Sequence, residues 1–541
     1  MMKRFLYIGL ITACMLTACS DYLEEHPKDR IPEEQAYEDA ANLYLNTVAV
    51  LYNYIGGYED SQGLQGTYRG LYDLNTFTTD EAMIPTRGSD WYDGGFWQAL
   101  FTHDWASSSS IQATWEYLYK VIVLSNRSLE QLEQHAHLLS AEQYESYTAE
   151  VRALRAMYYY YLLDMYGRVP LVLSSNTSMS DVKQSSRSEV FHFVVNELQE
   201  TLYSLSFEHS NYQGDYYGRI TMPVSCFLLA KLFLNAEIYT DDNWTDSVIP
   251  DVSQPIFIIA DDMKVNAWEA VVHYCDILEA LGYQLEDIFT NNFSVHNESS
   301  RENIFTIPMD PNLYINQMQN LFRSYHYQHA AAYGFGGENG SSATLETLAT
   351  FGYGTEEEDM RFFWSFYYGP VYDLDGQDVI LQSGAPLEYQ PTAIKLDLSG
   401  SVYEQTAGAR MKKYEVDKTA PKDGKLMNND IVLFRYADVL LMKAEAKVRN
   451  GENGDEEMNA VRERAGMGYR PATLENILEE RKLELMWEGW RRQDLVRFRK
   501  FTRAYTDRPM LENEESGYTT VFPIPGDVVM QNPNITQNYG Y

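Results

Sequence analysis

Two stretches of this chain follow one plan, and that plan limits the fold more than any other feature. Phe227–Tyr239 (FLLAKLFLNAEIY) is followed by Ala267–Leu281, and Val439–Arg449 (VLLMKAEAKVR) by Gly454–Ala465. Each reads as a helix with small residues on one face, a turn and a second helix. Ala230 and Ala236, or Ala444 and Ala446, let a partner helix approach closely, which is how tetratricopeptide hairpins stack. A lone helix pair cannot bury its own faces, so several such units are expected. Helical periodicity also runs through Pro32–Tyr54, Ile111–Gln134, Ala141–Tyr166 and Glu189–Leu205. In the third of these, Val151, Leu154, Tyr158, Tyr161 and Met165 share a face. The Tyr158–Tyr161 run therefore wraps the helix, and at most part of it is exposed. Gly167 stops this helix, and Pro170 keeps Val169–Leu173 extended.

The N-terminus places the chain. Met1–Ala18 joins Lys3 and Arg4 to the apolar run Phe5–Leu16, a secretory signal too short to span a bilayer. Leu16, Thr17 and Ala18 precede Cys19, and this LTAC tetrad resembles a bacterial lipobox, which makes Cys19 the lipidated mature N-terminus. Ser20, Asp21, Glu24 and Glu25 resemble the acidic tether of lipoproteins exported to the surface of some Gram-negative cells. No later stretch is apolar enough to span a membrane. Apart from Cys14 in the signal and Cys19, the cysteines are Cys226 and Cys275, the only pair available for a disulfide; both read as small buried hydrophobes. The formal net charge of -36 excludes nucleic acid as a natural partner. Aromatic residues reach 14%, with 43 Tyr, 23 Phe and 9 Trp, so some must face outward.

Two regions break the helical pattern. Residues 301–429 are rich in Gly, Tyr and Asn, with the loop GFGGENGSS (Gly334–Ser342), and read as loop and strand without helix caps. Residues 56–106 hold Trp91, Trp97 and Trp105. Loop-rich insertions on a rigid scaffold are where binding surfaces sit. A sugar site needs aromatic faces to stack on pyranose rings and polar groups to bond hydroxyls. Thr79–Trp97 (TDEAMIPTRGSDWYDGGFW) offers both: Trp91, Tyr92 and Trp97 as platform, Arg87, Asp90 and Asp93 as polar partners. For Trp91 and Trp97 the competing assignment is packing beneath the scaffold, and Trp105 is assigned to packing against Ile111–Gln134.

Enzyme motifs are missing. There is no HExxH or GxSxG, and His135 and His137 do not share a helix face. Gly334–Gly340 lacks the glycine spacing of a dinucleotide loop. Asp373, Asp375 and Asp378 lack the Gly and Glu of a calcium loop. No cofactor and no metal are called for, although 78 acidic residues leave a glycosidase carboxylate pair open.

A family resemblance spans nearly the whole mature chain. CSDYLEEHP from Cys19, AEVRALRAMYYYYLLDMYGRVPLV (Ala149–Val172), SRSEVFHFVVNEL (Ser186–Leu198), GRITMPVSCFLLAKLFLNA (Gly218–Ala236) and NFSVHNESSRENIF (Asn292–Phe305) come in order. RYADVLLMKAEA (Arg435–Ala446), ILEERKLELMWEGWRRQDLVRF (Ile477–Phe498), FPIP at Phe522 and the ending NPNITQNYGY follow. In this set the chain resembles the SusD/RagB family of Bacteroidetes outer-membrane lipoproteins. The resemblance implies an all-α-dominated fold: a tetratricopeptide-like hairpin scaffold, with loop-rich and short-strand insertions forming the ligand site. It implies a signal peptide (1–18) and one SusD-like domain (19–541), with scaffold at about 19–55, 107–300 and 430–541 and binding regions at about 56–106 and 301–429. It also implies a non-catalytic, surface-exposed lipoprotein, held in the outer membrane through Cys19, that passes a glycan to a SusC-like TonB-dependent transporter. The acidic surface favours a neutral glycan. Trp91 is the first position carried over as a stacking residue. Family members often supply further aromatics after Phe305; here Tyr314, Phe322, Tyr325, Tyr327, Tyr333 and Phe335 are candidates, with Tyr314 and Tyr333 chosen. The scaffold usually faces the transporter, so the charged stretch Glu479–Arg503 is assigned to internal ion pairing. Some relatives serve peptide transporters, which leaves oligopeptide capture, and less favourably glycoside hydrolysis, as alternatives.

Overall fold

The structure, a computed structural model, describes residues 37–541 except 58, 66, 106–108, 314–315 and 421–424. The signal segment, Cys19, the acidic tether and Tyr314 lie outside the described residues.

Long helices carry the architecture. Ser109–Gln134 packs on Ala141–Tyr166, which packs on Arg187–Thr201; Met222–Leu234 packs on Ala267–Ala280, and that on Tyr436–Arg449. Tyr436–Arg449 in turn contacts Asp455–Arg464 and Leu474–Leu485. Most of these helices thus rest on helices near them in the chain, while Ala267–Ala280 and Tyr436–Arg449 come together across the irregular insertion. Helix starts follow from the sequence: Ser140, Ser186 and Asn266 each form a capping box with Gln143, Glu189 and Glu269. Ala230, Ala236, Ala444 and Ala446 are fully buried. A Cβ on Gly454 would lie 2.5 Å from the Ala444 carbonyl oxygen, so the turn after Tyr436–Arg449 closes onto that helix only with glycine there. The first helix among the described residues runs Ala40–Tyr44, passes through a π-helical stretch Leu45–Ala49 and ends at Val50–Tyr52.

The tyrosine run goes further inside than its pattern predicts. Tyr158, Tyr159 and Tyr160 are fully buried and Tyr161 nearly so. Their hydroxyls find partners: Tyr158 donates to the Tyr54 carbonyl, Tyr159 to that of Val172, and Tyr160 accepts from Gln493. Cys226 and Cys275 are both free thiols in the core. Trp105 packs its ring against His103 and Phe522 and donates to the Tyr541 hydroxyl.

The irregular regions contain more helix than expected. Gln319–Ser324, Tyr327–Ala332, Leu345–Thr350 and Met360–Ser365 are short helices, and three of them carry side-chain caps at His326, Thr344 and Asp359. Each is a turn or two long, too short for hydrophobic periodicity to reveal. Two-stranded antiparallel ladders join distant segments. Ala82–Met83 pairs with Ser342–Ala343, Phe366–Tyr367 with Arg410–Met411, and Asn303–Ile307 with Ile431–Arg435. The first ladder lays the tryptophan-bearing loop against the glycine-rich one.

The Glu479–Arg503 stretch is internal ion pairing. Arg481 bonds Asp438 and Asp494, Arg497 bonds Glu445 and Asp494, and Arg435 bonds Glu302, Glu484 and Glu488, all in the core. The network reaches the insertion at Asp80, whose carboxylate takes Arg491 at 2.7 Å and Arg503 at 2.6 Å, while Lys482 donates to its carbonyl. Glu81 accepts from the Trp487 backbone at 2.6 Å. The root of the tryptophan loop is therefore clamped to the helical scaffold.

Candidate functional site

From that clamped root the chain runs to a tight turn at Arg87–Asp90, closed by reciprocal backbone bonds of 2.9 and 3.0 Å with Gly88 in the left-handed region. Trp91 follows at a φ of 61°, Asp93 at 43°, and Gly94 and Gly95 are also left-handed. The loop folds back on itself into the helix Phe96–Thr102. Its outer side forms the wall of an open depression of about 510 Å³, lined by Asp60, Tyr68, Arg69, Asp90, Trp91 and Asp93 together with Ser89, Trp97, Tyr327 and Glu338.

Trp91 is half-buried and fixed from three sides. Its Nε1 donates to the Glu338 carbonyl at 2.8 Å, and its ring stands edge to face on Trp97 at 5.8 Å. Gly340 lies beneath it: a Cβ there would sit 2.7 Å from Trp91 Cε2 and Cζ2. Asp93 Oδ2 accepts from Trp97 Nε1 at 2.9 Å and pairs with Arg69 at 2.8 Å. Arg69 also lies over the Phe96 ring. Tyr327 donates to Asp90 Oδ2 at 2.8 Å, and burial and that bond push its hydroxyl up to about 12. Tyr68 donates to Glu338. Burial raises the Asp60 carboxyl above its ordinary value against the pull of Arg69. The depression thus presents an indole flanked by four carboxylates, one guanidinium and two phenols.

The expected residues separate into two layers. Asp90, Trp91 and Asp93 meet in the depression, with Tyr92 exposed beside them. Trp97 and Arg87 belong beneath it. Trp97 is only 1% exposed, wedged between Phe77, Phe96 and Trp91. Arg87 is equally buried, and its guanidinium donates to the Glu404 and Ala407 carbonyls and to Ser342 Oγ. With its terminal nitrogens bonded to two carbonyls and the Ser342 hydroxyl, and the whole side chain buried, Arg87 positions the turn and is not placed to meet a ligand. Tyr333 lines a different pocket, beside Trp364 and Tyr367. Of the six aromatics considered after Phe305, Tyr327 is the one that lines the Trp91 depression among the described residues. Asp60, Tyr68, Arg69 and Glu338 escaped the sequence reading. Glu338 and Gly340 do fall in the GFGGENGSS loop, whose glycines signal close backbone approach.

Two family profiles match the chain. One described as "SusD family" covers residues 293–541, and one described as "Starch-binding associating with outer membrane" covers residues 21–234. This chain belongs to the SusD/RagB family. It is 24% identical to the starch-binding protein SusD of Bacteroides thetaiotaomicron, over 97% of this chain and 96% of that protein. It is 22% identical to the SusD-like protein P38 of Formosa agariphila, over the full length of both. Among solved structures, a laminarin-binding SusD-like protein superposes with a TM-score of 0.68 at 22% identity, covering 93% of this chain and all of that one. Surface glycan-binding protein A of Bacteroides thetaiotaomicron, solved with laminarihexaose, gives 0.68 at 18%, covering 92% and 99%. SusD family members are non-catalytic binding proteins, and the description of the profile over residues 21–234 joins starch binding to association with the outer membrane.

Proposed function

We propose that this SusD-like protein, lipid-anchored through Cys19 on the cell surface, captures a neutral poly- or oligosaccharide on the Trp91 platform and delivers it to a SusC-like TonB-dependent transporter. The observation that carries the reading is Trp91 itself: a ring held rigid at the rim of an open depression, with carboxylates and phenols at its edge to bond sugar hydroxyls. Four carboxylates against one guanidinium repel an anionic chain, which favours a neutral one. Relatives described as binding starch and laminarin, both neutral glucans, agree with that polarity. Stacking adds roughly 1 kcal/mol per aromatic beyond area burial, so affinities between micromolar and millimolar are expected.

The test is affinity electrophoresis of soluble protein starting at Ser20 over neutral and acidic polysaccharides, with Trp91→Ala alongside. Retardation by a neutral polysaccharide that disappears in the variant, at unchanged melting temperature, supports the assignment. Equal retardation of both proteins refutes the platform. No retardation by any neutral polysaccharide refutes the ligand class.

A further inference from the structure

The pocket that takes Tyr333 is chemically unlike the depression at Trp91. It encloses about 550 Å³, and its aromatic wall is Tyr333, Phe363, Trp364 and Tyr367, with Lys412 and Lys418 at its edge. The pairing of Phe366–Tyr367 with Arg410–Met411 builds it, because it brings Lys412, next in the chain, against Phe363 and Tyr367. Trp364 is half-buried and rests on Phe289, rings 5.6 Å apart and inclined by 22°. Phe363 is 53% exposed.

The charges are the informative part. The chain carries 78 acidic residues against 42 basic ones, and most of its buried cations are paired with a carboxylate, Arg87, Arg187 and Arg410 being exceptions among the described residues. Half-buried Lys412 has no carboxylate partner either. Its ammonium donates to the Phe363 carbonyl at 3.0 Å and stands 4.0 Å from the centre of the Phe363 ring. Among the described residues neither Lys412 nor Lys418 forms an ion pair. Burial without a compensating charge lowers the Lys412 ammonium below its ordinary value. Lys413, deeper in the wall, is paired with Glu488. The one carboxylate lining the pocket, Glu415, accepts from the Val295 backbone at 2.9 Å. One carbonyl takes a single hydrogen of the Lys412 ammonium, so it has donor capacity left beside an open aromatic wall.

We propose that this pocket is a second carbohydrate subsite, selective for a sugar bearing a carboxylate or sulfate, with Trp364 and Phe363 stacking on the ring and Lys412 and Lys418 pairing with the anion. Its polarity is opposite to that of the Trp91 depression, so the two discriminate between neutral and anionic units. The proposal rests on the reading of this protein as a glycan binder, but uses different residues, so the two can fail separately.

The experiment is affinity electrophoresis in gels containing polygalacturonate, alginate or chondroitin sulfate, with laminarin and xylan as the neutral arm. Wild type, Lys412→Met, Lys418→Gln and Trp91→Ala are compared. Lys412→Met retains the apolar stem and removes the ammonium, with its charge and its bond to the Phe363 carbonyl. At least one anionic polysaccharide is expected to retard the wild type, with about a tenfold loss of affinity in Lys412→Met and a smaller one in Lys418→Gln. Raising NaCl from about 50 to about 300 mM should weaken this binding and spare the neutral arm. Trp91→Ala should lose the neutral arm and keep the anionic one. Failure of all three anionic polymers to retard the wild type overturns the proposal. So does anionic retardation that is the same in both lysine variants and the wild type. Failure of laminarin and xylan alone to retard the wild type counts only against the neutral-glycan reading of the Trp91 depression.

Discussion

Gly340→Ala tests whether Trp91 acts as a positioned platform or merely as an exposed hydrophobe. The added methyl would meet Trp91 Cε2 and Cζ2 at 2.7 Å and the Arg323 carbonyl at 3.2 Å. Carbon atoms pack at roughly 3.5–4.0 Å, so the indole must retreat by about 1 Å. Its Nε1 bond to the Glu338 carbonyl, 2.8 Å long, then stretches beyond useful range. Overpacking of this kind costs about 1–3 kcal/mol of stability, which a chain with so extensive a core tolerates. The displaced ring forfeits its stacking geometry, worth about 0.5–1.5 kcal/mol, so affinity for the neutral glycan should fall up to about tenfold. Titration calorimetry with the glycan identified by electrophoresis, and thermal melting, read the two effects. The double variant Trp91→Ala/Gly340→Ala should recover the stability lost in Gly340→Ala, because the clash has gone. Wild-type affinity in Gly340→Ala, with Trp91→Ala inactive, would show that the ring's exact seat is immaterial and refute the reasoning.

Two further outcomes follow from the buried charges. Glu484 accepts from Arg435 at 2.6 Å, from Arg361 at 2.9 Å and from Arg464, and these guanidiniums hold its carboxyl well below the ordinary range despite burial. Glu484→Gln leaves three buried cations undercompensated and should cost about 3–5 kcal/mol in urea unfolding; a loss below about 1 kcal/mol would show the network to be dispensable. Glu81 has the opposite sign: burial raises its carboxyl to about 7. The folded state then holds a proton that the unfolded state has released, so the stability contributed by the protonated form declines as pH rises from about 4.5 to about 7. Glu81→Gln should gain on the wild type over that interval, by about 3 kcal/mol at most. Buried His326 and His329, lowered to about 3, act in the other direction in both proteins, so the difference between the two isolates Glu81. A difference that is flat with pH would place Glu81 in its ionised form throughout.

How legible the molecule was depended on the length of the pattern. Helices of ten or more residues show in the sequence because several turns repeat one apolar face, and their caps at Ser140, Ser186 and Asn266 are local chemistry. The internal role of Glu479–Arg503 came from the family resemblance, not from the charge pattern, which by itself reads equally as a solvated face. The short helices at Leu345–Thr350 and Met360–Ser365 were not legible, because one or two turns carry no period. At the proposed platform, composition singled out the Trp91 loop but could not sort its layers. Trp91 and Trp97 are the same residue six positions apart, and only the fold sends one to the rim and the other beneath it. Arg87 and Arg69 show the same limit. The first is consumed by carbonyls of residues more than 300 positions away, while the second, unnoticed in a glycine-rich stretch, reaches the depression.

The left-handed residues explain why so few contacts can suffice. An aromatic side chain at a φ of 61° and an aspartate at 43° are strained conformations, each costing on the order of 1 kcal/mol or more. They persist because the surroundings over-determine them. Asp80 is held by several cations, Arg87 by three acceptors, Asp93 by Arg69 and Trp97, and the Trp91 ring by Glu338 and Gly340. The strain is thus met by folding, before any ligand arrives. Binding then has no loop to order, and that cost, about 0.5–1.5 kcal/mol for each immobilised side chain, is comparable to what a stacked ring supplies. A mobile Trp91 with identical exposed area would lose most of its net affinity to its own ordering. On the proposed reading of the Trp91 platform, the buried residues Arg87 and Trp97, which are not placed to meet a ligand, would therefore support binding by holding the rim in place.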